Sequence, residues 1–351
     1  MFKASQLIIV SVAMPRDNRL VSGKVPTEVL KLCVLPYLGV PSDRILKGPG
    51  VGEDAPIIDM GDRVLVVKGN PITGAEVNLG GEIVHINAND VAARGAKPLW
   101  FINIILLPEG TPLSKLRRIS LDVDEACRQL GVSVIGGHTE CTPGLVKPIA
   151  VGFMIGEAHK GHYFTGEASK PGDKIVLTKG AGIEGTGILA SDFANRLKGK
   201  VNARILKKAK DFAARISVVA EALAVVEING VHSMHTPTEG GVLNGLIEMA
   251  EAAGYGFNVR EELIPVEPET RAICDVLGVD PLRLIASGAL LITVEASHTQ
   301  TVLRAIQGIG VKAVEIGEIT QKGMILVKRD GKTSKVKLVK QDELYRLLTI
   351  G

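Results

Sequence analysis

Four short segments of this chain place a carboxylate beside glycine, a pattern typical of sites that bind phosphate and metal. Mg²⁺ ions that bridge phosphate oxygens take carboxylate ligands, and glycine turns at helix starts present unpaired backbone N–H groups to anions. One such segment alone is more often a cap or a turn, but four in one chain favour a shared site. The segments are residues 50–55 (GVGEDA), 87–98 (NANDVAARGAKP), 136–140 (GGHTE) and 236–241 (TPTEGG).

Other chemical motifs are weaker or missing. Residues 180–185 (GAGIEG) match the dinucleotide fingerprint, but the stretch about twenty residues later is basic and lacks the ribose-binding acid. Phosphate contact and a tightly packed turn therefore stay equally open for this segment. No phosphate-loop signature and no Gly-x-Ser-x-Gly elbow occur. The pair His232 and His235 has metal-binding spacing but no acid at matching distance, which favours surface or loop histidines.

The elements that must position these segments alternate between helix and strand. Apolar periodicity predicts helices over residues 27–35, 81–94, 116–130, 187–196, 203–226, 241–253 and 299–309. Continuous or alternating apolar runs predict strands over residues 63–67, 99–107, 132–135, 149–155, 174–178 and 289–294, with 132–135 buried. A hairpin is predicted over residues 324–336, turning on Asp330 and Gly331. The fold class is therefore mixed α/β (α+β).

A chain of 351 residues is too long for one ordinary core and predicts two domains. The stretch 159–173 has neither helical nor strand periodicity and contains Pro171 and Gly172. We therefore expect an N-terminal domain over residues 1–165 and a C-terminal domain over residues 166–351, with a cleft between them.

Composition narrows the functional classes. Aromatic residues make up only 3% of the chain, and a net charge of +3 is spread over 41 basic and 38 acidic residues, which disfavours a nucleic-acid binder. The four cysteines form no Cys-x-x-Cys pair, as expected for a reducing compartment. The apolar stretch 7–14 is too short to span a bilayer and is interpreted as a strand or arm. These features predict a cytoplasmic protein without membrane anchoring.

In order and spacing, the four segments resemble the aminoimidazole ribonucleotide (AIR) synthetase superfamily, and the HypE-like branch in particular. The most specific parts are residues 89–98, the Thr238-Glu239-Gly240-Gly241 run, residues 186–190 and residues 280–282 before Gly288. The resemblance spans residues 23 to about 327. It implies a two-domain α/β fold whose N-terminal sheets pair across a homodimer axis, with ATP and Mg²⁺ along the cleft between domains.

The resemblance also implies roles for individual residues. Metal ligands would be Asp54, Asp90 and Glu140. The nucleotide and its phosphates would be bound by residues from both domains, namely Lys68, Asn70, Asn89, Gly137, His138, Thr139, Glu239, Gly240 and Gly241.

Four departures from the superfamily pattern bear on activity. Asn70 stands where relatives carry a ligand aspartate, Thr236 replaces an aspartate, and His138 occupies a position that is acidic in several members. Each lost carboxylate removes charge that offsets the dehydration of Mg²⁺, and Lys68 could supply positive charge at a phosphate instead. The sequence also has no cysteine after Cys274, so we expect no HypE reaction on its own tail.

Two hypotheses of function follow. The first is a HypE-like ATP-binding protein that phosphorylates or dehydrates an unknown amide- or carboxylate-bearing substrate, with a possible partner protein. The second is a non-catalytic, nucleotide-sensing or structural homodimer with a degenerate metal site. Asp54, Asp90 and Glu239 favour the first, whereas Asn70 and Thr236 favour the second.

Overall fold

Two mixed β-sheets, one from each half of the chain, form the frame of the protein. The computed structural model describes residues 25, 27–50, 52–73, 78–339 and 341–350. The predicted arm at residues 7–14 and the first residues of the family resemblance lie outside this part. The two-domain mixed α/β prediction is confirmed. Among the described residues, no helix is both long and apolar enough to cross a membrane.

The first sheet has six strands in the order β1-β2-β3-β6-β4-β5, and only β4 and β5 are parallel to each other. Its strands are β1 (Ile45–Lys47), β2 (Ile57–Asp59), β3 (Arg63–Ile72), β4 (Lys97–Leu107), β5 (Ser133–Cys141) and β6 (Ile149–His159). One face packs on two helices, α2 (Leu79–Ala93) and α3 (Leu113–Leu130). At Gly80, an added Cβ would lie 2.2 Å from the Ile119 carbonyl, so α2 and α3 can approach this closely only through glycine.

The second sheet has seven strands in the order β13-β12-β9-β11-β7-β10-β8, antiparallel except for the β9/β12 pair. Its strands are β7 (Lys174–Thr178), β8 (Val231–His235), β9 (Gly256–Arg260), β10 (Leu291–Val294), β11 (Ala313–Thr320), β12 (Met324–Val327) and β13 (Thr333–Lys335). The remaining helices are α1 (Thr27–Cys33), α4 (Ile183–Asp192), α5 (Ala194–Leu197), α6 (Ala203–Lys210), α7 (Val219–Val225), α8 (Gly241–Ala253), α9 (Pro268–Leu277), α10 (Thr299–Gly308) and α11 (Glu343–Ile350).

A single apolar core continues from the first sheet into the second half of the chain. Ile83 and Val91 of α2 belong to the same buried cluster as Ala222 of α7 and Met234 of β8. The two domains are therefore packed against each other through apolar side chains, and the cleft between them has fixed walls.

Three predicted elements differ from the structure. The helix predicted over residues 187–196 begins earlier, at Ile183, and is divided at Phe193 into α4 and α5. The helix predicted over residues 203–226 is divided into α6, a 3-10 turn (Asp211–Arg215) and α7. In the break between the 3-10 turn and α7, the backbone groups of Ile216 and Val218 bond the side chain of Asn89 in the other domain. The strand predicted as buried at residues 132–135 is β5, whose nine residues are all exposed because it lies at the sheet edge.

Candidate functional site

A cavity of about 930 Å³ lies between the two domains, and five of the predicted site residues line it. The first domain contributes Asp54 from the loop before β2, Lys68 and Asn70 from β3, and Asp90 from α2. The second domain contributes Glu239, in the loop between β8 and α8. Acids that are 185 positions apart in the sequence thus share one cleft.

Asp90 is held by three donors on the cleft wall. The Lys68 ammonium lies 3.0 Å from one carboxylate oxygen, and Asn70 Nδ2 donates to the same oxygen at 2.9 Å. Thr236 Oγ1 donates to the other oxygen at 2.6 Å. Asn70 and Thr236, which stand where the resemblance predicts aspartates, are therefore hydrogen-bond donors to Asp90 and do not repel it.

Asp54 is held by cations as well. His235 Nδ1 lies 2.8 Å from one carboxylate oxygen and Arg94 Nη2 lies 3.7 Å from the other, while Lys68 Nζ donates to the Asp54 carbonyl at 2.6 Å. Burial opposes ionisation, but His235 and Arg94 outweigh it and lower the pKa of Asp54. Asp54 is therefore an ionised, compensated carboxylate.

His235 links Asp54 to a second acid. Its Nε2 lies 3.1 Å from Glu248 on α8. Burial alone would lower the pKa of His235, but Asp54 and Glu248 together raise it to about 10. The imidazole is therefore a buried cation at neutral pH, and the interpretation of His235 as a surface or loop histidine is wrong.

A second group of acids in the cleft has no such compensation. Glu82 of α2 and Glu184 of α4 line the cavity with Glu239. Burial, followed by the charge of Glu184, raises the pKa of Glu82 well above its ordinary value. Burial raises the pKa of Glu184 to about 7, to which Glu239 and Asp342 contribute. We call Glu82, Glu184 and Glu239 the acidic cluster.

Asn89 was predicted to bind nucleotide or phosphate, but its side chain bonds backbone groups at the domain interface. Its Nδ2 donates to the Ile216 carbonyl and its Oδ1 accepts from the Val218 amide, both at 2.7 Å. The side chain is buried and is not among the residues that line the cleft. The structure places Asn89 as a connection between α2 and the chain before α7.

The glycines at the start of α8 are also engaged within the protein. The Gly240 amide donates to Asp342 Oδ2 at 2.6 Å, and the Gly241 amide donates to the Thr238 carbonyl at 3.0 Å. Both have positive φ, 80° and 67°, which favours glycine. These amides therefore form the turn into α8, and Glu239 is the member of this run that lines the cleft.

The segment Gly137, His138, Thr139 and Glu140 lies on β5 and not on the cleft wall of its own chain. His138 Nε2 lies 3.0 Å from Glu140 Oε2, whose other oxygen accepts from Thr142. An added Cβ at Gly137 would lie 2.3 Å from the Asn103 carbonyl, so this glycine allows β4 and β5 to pair closely. Within one chain, Glu140 is separated from Asp54 and Asp90.

The residues assigned to Mg²⁺ do not fit a divalent ion. Glu140 is outside the cleft, and Asp54 and Asp90 already bond Arg94, His235 and Lys68. The described residues include no group of three or more His, Cys, Asp or Glu side chains placed to hold a metal. A strongly hydrated dication needs several free oxygen ligands, so these carboxylates would first have to release their protein partners.

Sequence reasoning missed His235, Glu248, Glu82, Glu184 and Tyr345 as cleft residues. Two of them carried a local signal, since His235 adjoins the 236–241 segment and Glu184 belongs to the 180–185 segment. Glu184 lies in the 180–185 segment, where the glycines serve packing: an added Cβ at Gly185 would lie 2.4 Å from the Leu284 side chain. Tyr345 lies on α11, which no motif marked.

Comparison with known proteins places this geometry in context. Residues 52–158 match the family described as AIR synthase related protein, N-terminal domain, and residues 170–328 match its C-terminal domain. Carbamoyl dehydratase HypE of Cupriavidus necator is 32% identical over 266 residues, which cover 75% of this chain and 73% of that protein. A putative hydrogenase expression/formation protein of Methanocaldococcus jannaschii is 30% identical over 87% of this chain and 91% of its own.

The fold is shared with solved structures as well. A crystal structure of hydrogenase maturation protein HypE in complex with ATP superposes with a TM-score of 0.70 at 22% identity, over 92% of this chain and 97% of that chain.

Proposed function

This chain belongs to the AIR synthase-related family, and we propose on that basis that it is a HypE-like protein that binds ATP in the cleft between its two domains. The observation that carries the proposal is the convergence of Asp54, Lys68, Asn70, Asp90 and Glu239 on one cavity. The HypE structure with ATP supports it through the shared fold. The cavity is large enough for a drug-sized ligand.

Lysine, rather than Mg²⁺, supplies the cation for the phosphates in this proposal. Lys68 and Lys147 both line the cleft, and Lys68 already lies against Asp90. A triphosphate placed beside Lys68 would gain charge-assisted hydrogen bonds. The acidic cluster would repel it, so the phosphates belong beside Lys68 and away from Glu82 and Glu184.

Thermal melting tests both parts of this proposal. ATP should raise the midpoint because it binds only the folded state, and the rise should persist when a chelator removes divalent ions. Asn70→Asp adds a carboxylate beside Asp90 and should make the rise depend on Mg²⁺. An unchanged midpoint at millimolar ATP contradicts nucleotide binding, and a rise abolished by the chelator in the natural protein contradicts the role of Lys68.

A second candidate function is ATP-dependent phosphorylation or dehydration of an amide- or carboxylate-bearing substrate. Glu184 favours it, because a buried carboxyl with a pKa of about 7 can exchange protons near neutral pH. Release of ADP on addition of a substrate, lost in Glu184→Gln, would establish turnover. ATP binding without ADP release would instead support the hypothesis of a non-catalytic, nucleotide-sensing dimer.

We also propose that two copies associate through the first sheet. Strand β5 ends that sheet, and Val134 and Ile135 are 49% and 54% exposed. A long exposed edge strand is normally covered or paired. The resemblance also predicts that a separate partner protein binds this chain, and this stays a prediction.

We propose that the division between the domains falls between residues 165 and 166. Strand β6 of the first sheet ends at His159 and β7 of the second sheet begins at Lys174, which leaves residues 160–173 as the connection.

A further inference from the structure

The acidic cluster differs from the other acids of the cleft in having no cationic partner. Within the described part of the chain, no Lys, Arg or His forms an ion pair with Glu82, Glu184 or Glu239, whereas Asp54 and Asp90 each have at least one. The three glutamates come from three separate elements, α2, α4 and the loop before α8. They line the same cavity.

In two of these glutamates one carboxylate oxygen also lacks a hydrogen-bond donor, although the Glu184 carboxyl does accept hydrogen bonds from Ser287. Glu82 and Glu184 are only 4% and 6% exposed, and the Oε2 atom of each is buried without a donor in the described structure. Buried polar atoms are nearly always partnered, so two neighbouring exceptions in one cavity call for an explanation. Leaving a buried carboxylate unpaired costs folding free energy.

The hydrogen bonds from Ser287 leave Glu184 Oε2 without a donor, so structural contacts do not account in full for either carboxyl group. Asp342, by comparison, accepts from the Gly240 and Leu344 amides at 2.6 and 2.7 Å and so ties two helix starts together. The Oε2 atoms of Glu82 and Glu184 have no comparable contact. Since both residues line the cavity, a ligand in the cavity can supply the missing donors.

The chemistry of that ligand follows from the surroundings. The described residues hold no group of three or more acids, histidines or cysteines placed for a metal ion. The cavity wall beside the glutamates is partly apolar, with Ile188, Ile285 and Leu344. A planar nitrogen cation carries several N–H donors in different directions, and its carbon body can pack on such a wall.

We propose that the acidic cluster is a binding subsite for a nitrogen cation, an amidinium, guanidinium or protonated amine group carried on an apolar body. This goes beyond nucleotide binding, because the subsite has the opposite charge preference from Lys68. It does not depend on ATP, so its test is made without nucleotide.

The full-length protein is titrated with benzamidinium, phenylguanidinium and benzylammonium, and with neutral benzamide as the matched control ligand. Calorimetry measures each Kd. At least one of the cations should bind roughly tenfold more tightly than benzamide, the range expected for hydrogen bonds to a charged group. Glu82→Gln and Glu184→Gln should each abolish that preference, whereas Glu109→Gln, on an exposed loop outside the cleft, should retain it.

The stability of the unliganded variants provides a second measurement. Glutamine removes a buried acid that has no cationic partner, so Glu82→Gln and Glu184→Gln should melt at the same temperature as the natural protein or higher. If both variants are strongly destabilised, the carboxylates have structural partners and the proposal is wrong.

Three ligand results would also overturn it. The first is that none of the three cations binds better than benzamide. The second is a melting shift with Mg²⁺ or Mn²⁺ alone that Glu184→Gln removes, which would make the cluster a metal site. The third is that the glutamine variants weaken adenosine binding and leave the cations unaffected, which would assign the cluster to the nucleotide.

Discussion

At the scale of single residues, the cleft is governed by which carboxylates have cations and which do not. Lys68, Arg94 and His235 neutralise Asp54 and Asp90, while Glu82 and Glu184 have no cation beside them in the described structure. Coulomb interactions are strongest at ion-pair distances, and the low dielectric of a cleft strengthens them. Neighbouring acids can therefore behave in opposite ways.

Lys68→Met should lower the free energy of unfolding by about 2 kcal/mol, because it leaves the largely buried Asp90 carboxylate with only neutral donors. It should also make the protein respond to Mg²⁺, which could then reach Asp90. Denaturant unfolding with and without Mg²⁺ measures both effects. Lys160→Met, which removes an exposed pair with Asp59, is the control and should cost distinctly less. Equal losses in the two variants would contradict a special role for Lys68.

Glu184 should make the protein less stable as pH rises. Burial, with the charges of Glu239 and Asp342, raises its pKa from an ordinary 4.5 to about 7 in the folded protein. Between these values the folded state holds a proton that the unfolded state has lost, so stability is greatest below the lower pKa and declines up to the higher one. Denaturant unfolding across this window should show a loss on the order of 2 kcal/mol for the natural protein relative to Glu184→Gln. Parallel profiles for the two proteins would show that Glu184 does not titrate in this window.

At the scale of elements, helix α2 organises the site from both of its ends. Fourteen of its fifteen residues are buried, including Glu82 and Asp90 on the cleft and Asn89 at the domain interface. A helix surrounded in this way can hold polar side chains only where partners meet them. Asn89 finds such partners in the Ile216 carbonyl and the Val218 amide. These two backbone groups lie where the helix predicted over residues 203–226 is interrupted.

Asn89→Ala should destabilise the protein by about 2–3 kcal/mol, since it leaves a buried carbonyl and a buried amide without partners. It should leave the ATP-induced rise in melting temperature nearly unchanged, because Asn89 does not line the cleft. Asn258→Ala, on the exposed side of β9, is the control with little effect. Loss of the ATP response with stability retained would instead return Asn89 to the nucleotide site.

At the scale of the whole molecule, the packing of two domains creates the cleft and leaves one sheet edge open. The continuous core fixes the walls of the cavity, and the exposed β5 carries His138 and Glu140 away from it. The single chain thus accounts for the cleft but not for the conspicuous sequence on β5. A second copy against this strand would bury it.

The natural protein should therefore be a dimer in solution, and Ile135→Lys should shift it to monomer, because a charge would be buried at the interface. Light scattering after size-exclusion chromatography measures the mass. Leu113→Lys replaces another highly exposed apolar residue, at the start of α3, and should leave the dimer intact. A monomeric natural protein would refute the association through β5.

The sequence by itself determined the elements whose signals are local. Periodicity predicted α2, α3, α8 and the strands β4 and β6 because each buries one stripe or one whole segment, and these are present. The four glycine-acid segments predicted the fold family and led to Asp54, Asp90 and Glu239, which line one cleft.

Only the tertiary structure decided how those acids are partnered. His235 lies between Asp54 and Glu248. Asn89 bonds a loop 127 and 129 positions away. Glu140, which was predicted as a metal ligand together with Asp54 and Asp90, is separated from both. Charge compensation depends on distances between side chains in the folded protein. Residue spacing along the chain does not give those distances. The same reason explains why β5 was predicted as buried: its apolar pattern is local, but whether an edge strand is covered depends on what packs beside it.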